Sequence, residues 1–336
     1  MNAPILDHCR DPVPYFARSR EFSPSSPTAR VHDRASEIPD MSDSIDNPLE
    51  ELATDLGPDL VALVCRRPSR CVRCIRISAV EVHDVTRSTF RFDFEDGTSL
   101  KGRRFEDPRR AARVVALQSR LPSGFAPLVE SAGDALLTQW VEGSPVDQRT
   151  ARSPAFLSHC GSLLGRLHGV APPWVEPEAV LMPSNARQRL EHRAQGLAEA
   201  GLLSKPLSQA IRQLAAEAPA DDCGAGILHW DLCPENVILD ASGSPIVVDN
   251  GGLRSGAHDL DLARSWYRWP MGDAERNHFV RGYEQHRSLE SFRSDFFFWM
   301  AVALTSAATF RHRSGVAGAR ERLSLLSALL ERRIEA

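Results

Sequence analysis

The segment His229-Trp-Asp231-Leu-Cys-Pro-Glu-Asn236 runs into Val-Ile-Leu-Asp240, a turn of Ala241-Ser-Gly-Ser244, and a second apolar run, Pro245-Ile-Val-Val-Asp249. Asp231 lies on a stretch with neither helical nor strand pattern, where a carboxylate can take a proton from an incoming hydroxyl. If the two short strands close symmetrically about the turn, 240 pairs with 245, and the same antiparallel register sets Asn236 opposite Asp249. Cross-strand neighbours have Cβ atoms about 4.5–5.5 Å apart, so an amide oxygen and a carboxylate oxygen would converge on one hard divalent ion, magnesium being the expected one. Phosphoryl transfer needs an oriented nucleophile and neutralised charge, and a base beside two oxygen ligands meets both demands.

The rest of the chain must position these groups, and 336 residues are enough for two lobes with separate cores. The spacing predicts a helical lead-in capped at Asn47-Pro48, with Leu49, Leu52, Leu56, Leu60 and Leu63 near one face and an interruption at Gly57-Pro58. From 72 to 105 the pattern alternates, with Phe90, Phe92 and Phe94 on one face and a turn at Glu95-Asp96-Gly97-Thr98, which predicts a hairpin. Asp107-Pro108 starts a helix to about Leu121, and Ala135 to Val141 is one more strand. After Ser144 helices are predicted at 155–169, 185–217, 273–287, 292–310 and 317–333, around the hairpin at 236–249. The expected class is α+β: a small β-rich lobe over residues 46–143 and a larger, mainly helical lobe over 144–336. Residues 1–45 mix Pro, Ser, Arg and Asp with few periodic apolar positions, which predicts a disordered segment, and Met41 offers an alternative start.

Composition narrows the function classes. The net charge of −4, with arginines spread among acids, gives no basic stripe for nucleic acid. No run reaches the roughly 20 apolar residues of a membrane span, and Phe296 to Ala308 reads as a buried helix. No secretory signal is visible at the start, and seven irregularly spaced cysteines fit reduced thiols, so a cytoplasmic location is expected. Cys71 and Cys74 form a lone C-x-x-C without a second pair at zinc-like spacing.

The ordered set of His229, Asp231, Asn236 and Asp249, continued by Gly256 and by Asp261-Leu262-Ala263, resembles the catalytic segment of the aminoglycoside phosphotransferase and choline kinase family, which shares the protein-kinase fold. The resemblance implies a bilobal kinase-like fold and an ATP-dependent small-molecule kinase. It implies Asp231 as catalytic base, Asn236 and Asp249 as magnesium ligands, His229 as the residue that holds the catalytic loop, and Asp261 as structural. Residues 136–143 are similar to the family's hinge strand, whose backbone meets adenine, with Gln139 and Val141 as the implied contacts. Gly161 to His168 is similar to its helix ending in Leu-His. Lys101 sits where the family places its phosphate-pairing lysine, and is one of only two lysines in the chain.

The chain also departs from the family pattern. The phosphate-holding loop, Asp84-Val-Thr-Arg-Ser-Thr89, has no glycine, which leaves Ser88 and Thr89 as the implied phosphate donors. Arg103 competes with Lys101 from the same strand face, and a solvated Lys101 stays open as the alternative. No acid lies inside the following helix, where Glu106 and Gln118 are imperfect stand-ins for a partner glutamate. Those losses keep a second class open, a nucleotide-binding pseudokinase that regulates a partner. Residues 270–336 carry slightly more arginines than acids, which argues against a polycationic acceptor and leaves other hydroxylated small molecules. Arg264, Trp266, Arg268, Trp269 and Tyr283 are candidates to line the acceptor pocket.

Overall fold

The computed structural model describes residues 48–50, 52–82, 85–172, 181–221, 223–269 and 271–335. The segment 1–45, the start at Met41 and the cap at Asn47 lie outside them. Helix α1 (Ala53–Cys65) carries the leucine face read from the sequence, and Leu56, Leu60 and Leu63 are fully buried against Phe90 and Phe92. Gly57 turns left-handed (φ 68°) directly before Pro58, so the helix kinks where the glycine tolerates that geometry and the proline restarts the spiral.

Strands β1 (Cys71–Val82), β2 (Val85–Phe94), β3 (Ser99–Arg104), β4 (Leu128–Ala132) and β5 (Ala135–Gln139) make one antiparallel sheet in the order β1-β2-β3-β5-β4. Side chains alternate across it: Leu137 joins the α1 core, while Leu136 packs with Phe105, Ala111 and Val114 beneath helix α2 (Pro108–Gln118). Asp107 caps α2 by accepting the Arg109 N–H at 2.9 Å. The same alternation in β3 buries Leu100 against α1 and sends Lys101 and Arg103 to the opposite face, into the cleft below the sheet.

The larger core joins helices α3 (Pro154–His168), α4 (Pro183–Glu199), α5 (Lys205–Ala216), α6 (His258–Arg268), α7 (Asp273–Glu284), α8 (Glu290–Ser294), α9 (Phe296–Arg313) and α10 (Ala319–Glu335). Between them lie short strands: β6 (Ser144–Pro145), β8 (Val237–Leu239) and β9 (Pro245–Val247) in one sheet, and β7 (Ala225–Leu228) paired with β10 (Arg254–Ala257) in another. The single helix expected over 185–217 is two, because Gly201 turns left-handed (φ 67°) and Ser204 caps a new start, accepting from the Leu207 N–H at 3.3 Å. Among the described residues no helix is long and apolar enough to cross a membrane. Cys71 and Cys74 are free, and burial raises both thiols, Cys74 to about 12, so neither is a ready nucleophile.

Candidate active site

Residues 229–236 connect β7 to β8, and a buried carboxylate holds the start of that loop. Asp261 lies on α6 with no exposed surface; one of its oxygens accepts the His229 N–H at 2.7 Å and the other the Trp230 N–H at 2.8 Å. His168, at the end of α3, reaches the same carboxylate at 3.3 Å and meets the Tyr283 hydroxyl at 2.8 Å. An ionised Asp261 can only accept, so His168 donates through Nε2 and takes the tyrosine proton at Nδ1. Burial lowers the His168 pKa, which keeps the ring neutral in that role. Asp261 thus ties α3 to the loop, and the Leu-His and Asp-Leu-Ala motifs meet at one point.

His229 meets the Asp261 clamp through its backbone. Its imidazole is fully buried beside Phe125, with ring centres 5.9 Å apart, and neither ring nitrogen has a hydrogen-bond partner among the described residues. The residue holds the loop through its backbone N–H rather than through the ring. Trp230 follows in a left-handed conformation (φ 74°), costly for a bulky side chain unless its surroundings impose it. They do so: its N–H is fixed by Asp261, its carbonyl accepts from Arg264 Nε, and its ring lies between the guanidinium groups of Arg254 and Arg264, at 3.8 and 4.4 Å.

This turn delivers Asp231 to the loop's rim. Asn236 Nδ2 donates to the Asp231 carbonyl at 2.8 Å and to its Oδ2 at 3.1 Å, so the two predicted residues are in direct contact. Arg268 Nη1 lies 2.5 Å from Asp231 Oδ1, and Arg264 Nη2 lies 3.5 Å from it. Arg264 and Arg268, candidate acceptor-pocket residues in the sequence, therefore stand at the carboxylate itself. Trp269 and Tyr283 are instead core residues.

The hairpin register is one residue away from expectation. Val237 pairs with Val247 and Leu239 with Pro245, and the Val248 N–H bonds to the Asn236 carbonyl at 2.8 Å, so Asn236 stands opposite Val248, not Asp249. The cause is the tight turn: the Asp240 carboxylate accepts the N–H groups of Ser242 and Ser244, both at 2.9 Å, and draws Asp240 out of the strand to pair with Ser244. Asp249 then departs from strand geometry (φ 60°, ψ 48°), and both it and Asn236 line the cleft beneath the sheet.

That cleft, of about 410 Å³, is lined by Thr89, Lys101, Gln139, Val141, Asn236 and Asp249, all predicted site residues. Ser88 sits in β2 opposite Ala79, but its side chain lies outside the described residues. Arg103 also lines the cleft, and its Nη1 reaches Asp249 Oδ1 at 2.6 Å, against 3.8 Å for Lys101 Nζ. The guanidinium fits because Gly251 has no Cβ; one there would lie 1.8 Å from Nη1. Burial pushes the Asp249 carboxyl up, but Arg103, Lys101 and His229 outweigh it and hold the group below its usual range. Burial and Arg103 lower Lys101 against the opposing pull of Asp249. Asp249 is the acid that Lys101 meets among the described residues; Glu106 is exposed, and Gln118, buried at the end of α2, donates to the Ala126 carbonyl at 3.3 Å.

The donor chemistry suits a magnesium ion. Asn236 commits its Nδ2 to Asp231, and both cations approach Asp249 through Oδ1, so one amide oxygen and one carboxylate oxygen are left to the cleft. No group of three or more His, Cys, Asp or Glu residues suited to a metal occurs among the described residues. Two protein oxygens with the remainder from phosphate and water is the usual magnesium arrangement.

Comparison with known proteins identifies the fold and the family. Solved structures with the same fold include a macrolide 2'-phosphotransferase from Brachybacterium faecium, 17% identical with a TM-score of 0.54, covering 79% of this chain and 95% of that one. A choline/ethanolamine kinase family protein from Mesorhizobium loti is 15% identical, with a TM-score of 0.57 and coverage of 79% and 92%. An amicoumacin kinase in complex with AMP-PNP is 15% identical, with a TM-score of 0.52 and coverage of 74% and 87%. No curated protein matches. The fold is the protein-kinase-like one, with a β-sheet lobe and a helical lobe. The model of the phosphotransferase enzyme family matches residues 99–293, more than half of the sequence and every residue of the loop, hairpin and clamp described above, and the chain belongs to that family.

Proposed function

We propose that this protein transfers the γ-phosphoryl group of ATP to a hydroxyl of a small molecule, with Asp231 as the general base. The observation that carries the reading is the contact between Asp231 and Asn236 on a loop clamped by Asp261, at the edge of a cleft that also holds Asp249, Lys101 and Arg103. The acceptor oxygen attacks the γ-phosphorus, the bond to the bridging oxygen breaks with its electron pair leaving on ADP, and the hydroxyl proton passes to Asp231. Arg268 and Asn236 fix the carboxylate from two sides, which aims its remaining lone pairs. Magnesium, when bound, offsets the charge of the phosphates. Asn236 and Asp249 would hold it, Lys101 and Arg103 would meet phosphate oxygens beside Thr89, and the backbone at Gln139 and Val141 would meet the adenine. The adenine nucleotide analogue in the similar amicoumacin kinase supports that donor. The contact of Asp231 with Asn236, and Asp249 in the same cleft, favour catalysis over a purely regulatory nucleotide-binding role.

Two measurements test the parts. Asn236→Ala and Asp249→Ala are each expected to raise the magnesium concentration for half-maximal activity severalfold, and an unchanged magnesium dependence in either would remove that residue from the ligand set. Lys101→Met and Arg103→Met are each expected to lower kcat/KM for ATP at least tenfold, about 1.4 kcal/mol of transition-state stabilisation. If only one variant loses activity, the phosphate contact belongs to that residue alone. Lys101→Arg is expected to impair nucleotide use too, because a planar fork does not replace a compact ammonium at a fixed depth.

A further inference from the structure

A second groove, of about 400 Å³, runs between α4 and α9 and is lined by Gln188, Arg189, His192, Arg193, Thr309 and Arg313. Its charge is one-sided. Arg189 and Arg193 are one turn apart on α4 with His192 beside them, Arg313 faces them from α9, and no acid lines the groove. Like charges at that helical spacing repel. Elsewhere on α4 the helix balances its charge: Arg187 pairs with Glu191 at 3.2 Å. Arg189, Arg193 and Arg313 make no ion pair or hydrogen bond among the described residues, and the buried Thr309 hydroxyl has no partner there either. Burial, with the charges of Arg189, Arg264 and Arg313, pushes the Arg193 pKa down to about 10. The half-buried Arg189 and Arg193 and the exposed Arg313 thus gather positive charge around an unpartnered hydroxyl, a set of groups suited to an anion.

Two residues link the groove to the proposed site. Phe310, next to Thr309, lines the cleft under the sheet. Arg264, whose charge Arg193 feels, lies 3.5 Å from Asp231. We infer that the acceptor is a hydroxylated anion, bearing a carboxylate or phosphate group, that docks on Arg189, Arg193 and Arg313 while its hydroxyl meets Asp231. This rests on the phosphotransfer reading and gives it a substrate class. Arg264 and Arg268 set two further guanidinium groups at the base, which disfavours a cationic acceptor there. The transfer needs no co-reactant beyond ATP, since the hydroxyl proton still goes to Asp231.

The test separates binding from turnover. Protein saturated with AMP-PNP and magnesium, so that the cleft is filled, is titrated calorimetrically with inorganic phosphate in one arm and malonate in the other. At least one is expected to bind, at least tenfold more weakly to Arg193→Gln and to the exposed-site variant Arg313→Gln, while Arg187→Gln, outside the groove, binds as the parent does. The stronger arm tells phosphate from carboxylate recognition. No anion binding by the parent, or equal binding by parent, Arg193→Gln and Arg313→Gln, overturns the inference. In parallel, labelled ATP is offered with glycerol, glycerate, glycerol phosphate and choline. Turnover is expected with an anionic member, with its KM raised at least tenfold by Arg193→Gln and the KM for ATP unchanged. Preferred phosphorylation of glycerol or choline, insensitive to Arg193, overturns the anionic acceptor and leaves phosphotransfer standing. Arginine-dependent anion binding with no phosphorylation in any broader acceptor screen overturns phosphotransfer and leaves the anion site standing.

Discussion

Asp231→Asn is expected to lower turnover by about 10²-fold or more while leaving ATP affinity near that of the parent, the usual consequence of losing a general base. The amide is nearly isosteric, so the loop is retained: its backbone is held by both oxygens of Asp261, which do not depend on the Asp231 side chain. The substituted amide can still turn its oxygen to Arg268, but its NH2 then faces the Asn236 NH2, a local mismatch that Asp231→Ala avoids. Both variants should therefore lose turnover alike and differ only slightly in melting temperature. Single-turnover transfer of labelled phosphoryl from ATP to a saturating acceptor is the deciding measurement, because it reports chemistry without product release. Near-native rates in both variants would take the base role away from Asp231.

Asp261→Asn is expected to have the largest effect on stability. The carboxylate uses one oxygen for each of two backbone N–H groups and shares one of them with His168, and an amide has a single acceptor oxygen. One buried N–H would face another, and a charge-assisted bond of about 1.5–3 kcal/mol would be lost as well. A loss of about 3 kcal/mol corresponds to roughly 6–12 °C in melting temperature for a domain of 150–250 residues. The pH dependence carries a sign of its own. Burial pushes the Asp261 carboxyl up, but the hydrogen bonds from His168 and from the His229 N–H outweigh it and hold the group below its ordinary range. A depressed folded pKa contributes stability that is present above the unfolded value, about 3.9, and is lost as pH falls through the folded one. Melting temperatures from pH 7 to pH 3 should thus fall less steeply at the acid end for Asp261→Asn than for the parent. Equal melting temperature at pH 7 would show that the clamp does not hold the loop.

The sequence carried far toward the site because its chemistry is packed into a short stretch. Asp231, Asn236 and Asp249 lie within twenty residues, and local hairpin formation alone brings their segments together. Amphipathic periodicity was equally legible in α1, α2 and α3, where one face is buried and the other wet. It was no guide to α6, where ten of eleven residues are buried, Asp259, Asp261 and Arg264 among them, so the polar positions do not mark a wet face. It failed also for β4, β6, β7 and β10, strands of two to five residues that are too short to show alternation.

Residue types and spacing thus determined the family, the β-then-helical order and which residues are the candidates for the reacting groups, because each depends on neighbours along the chain. Tertiary structure decided what those groups touch. Only the fold could set Arg103 rather than Lys101 closest to Asp249, since that depends on a strand face meeting the missing side chain of Gly251, about 150 residues away. Only the fold could bring Arg264 and Arg268 to Asp231, where α6 packs beneath the loop. The hairpin register shows the same division on a small scale: the strands were plain in the sequence, but the Asp240 carboxylate capping its own turn shifted their pairing by one residue. The charge of the α4–α9 groove had no sequence signal at all, because its arginines come from helices more than 100 residues apart and are ordinary surface cations until packing places them together without an acid.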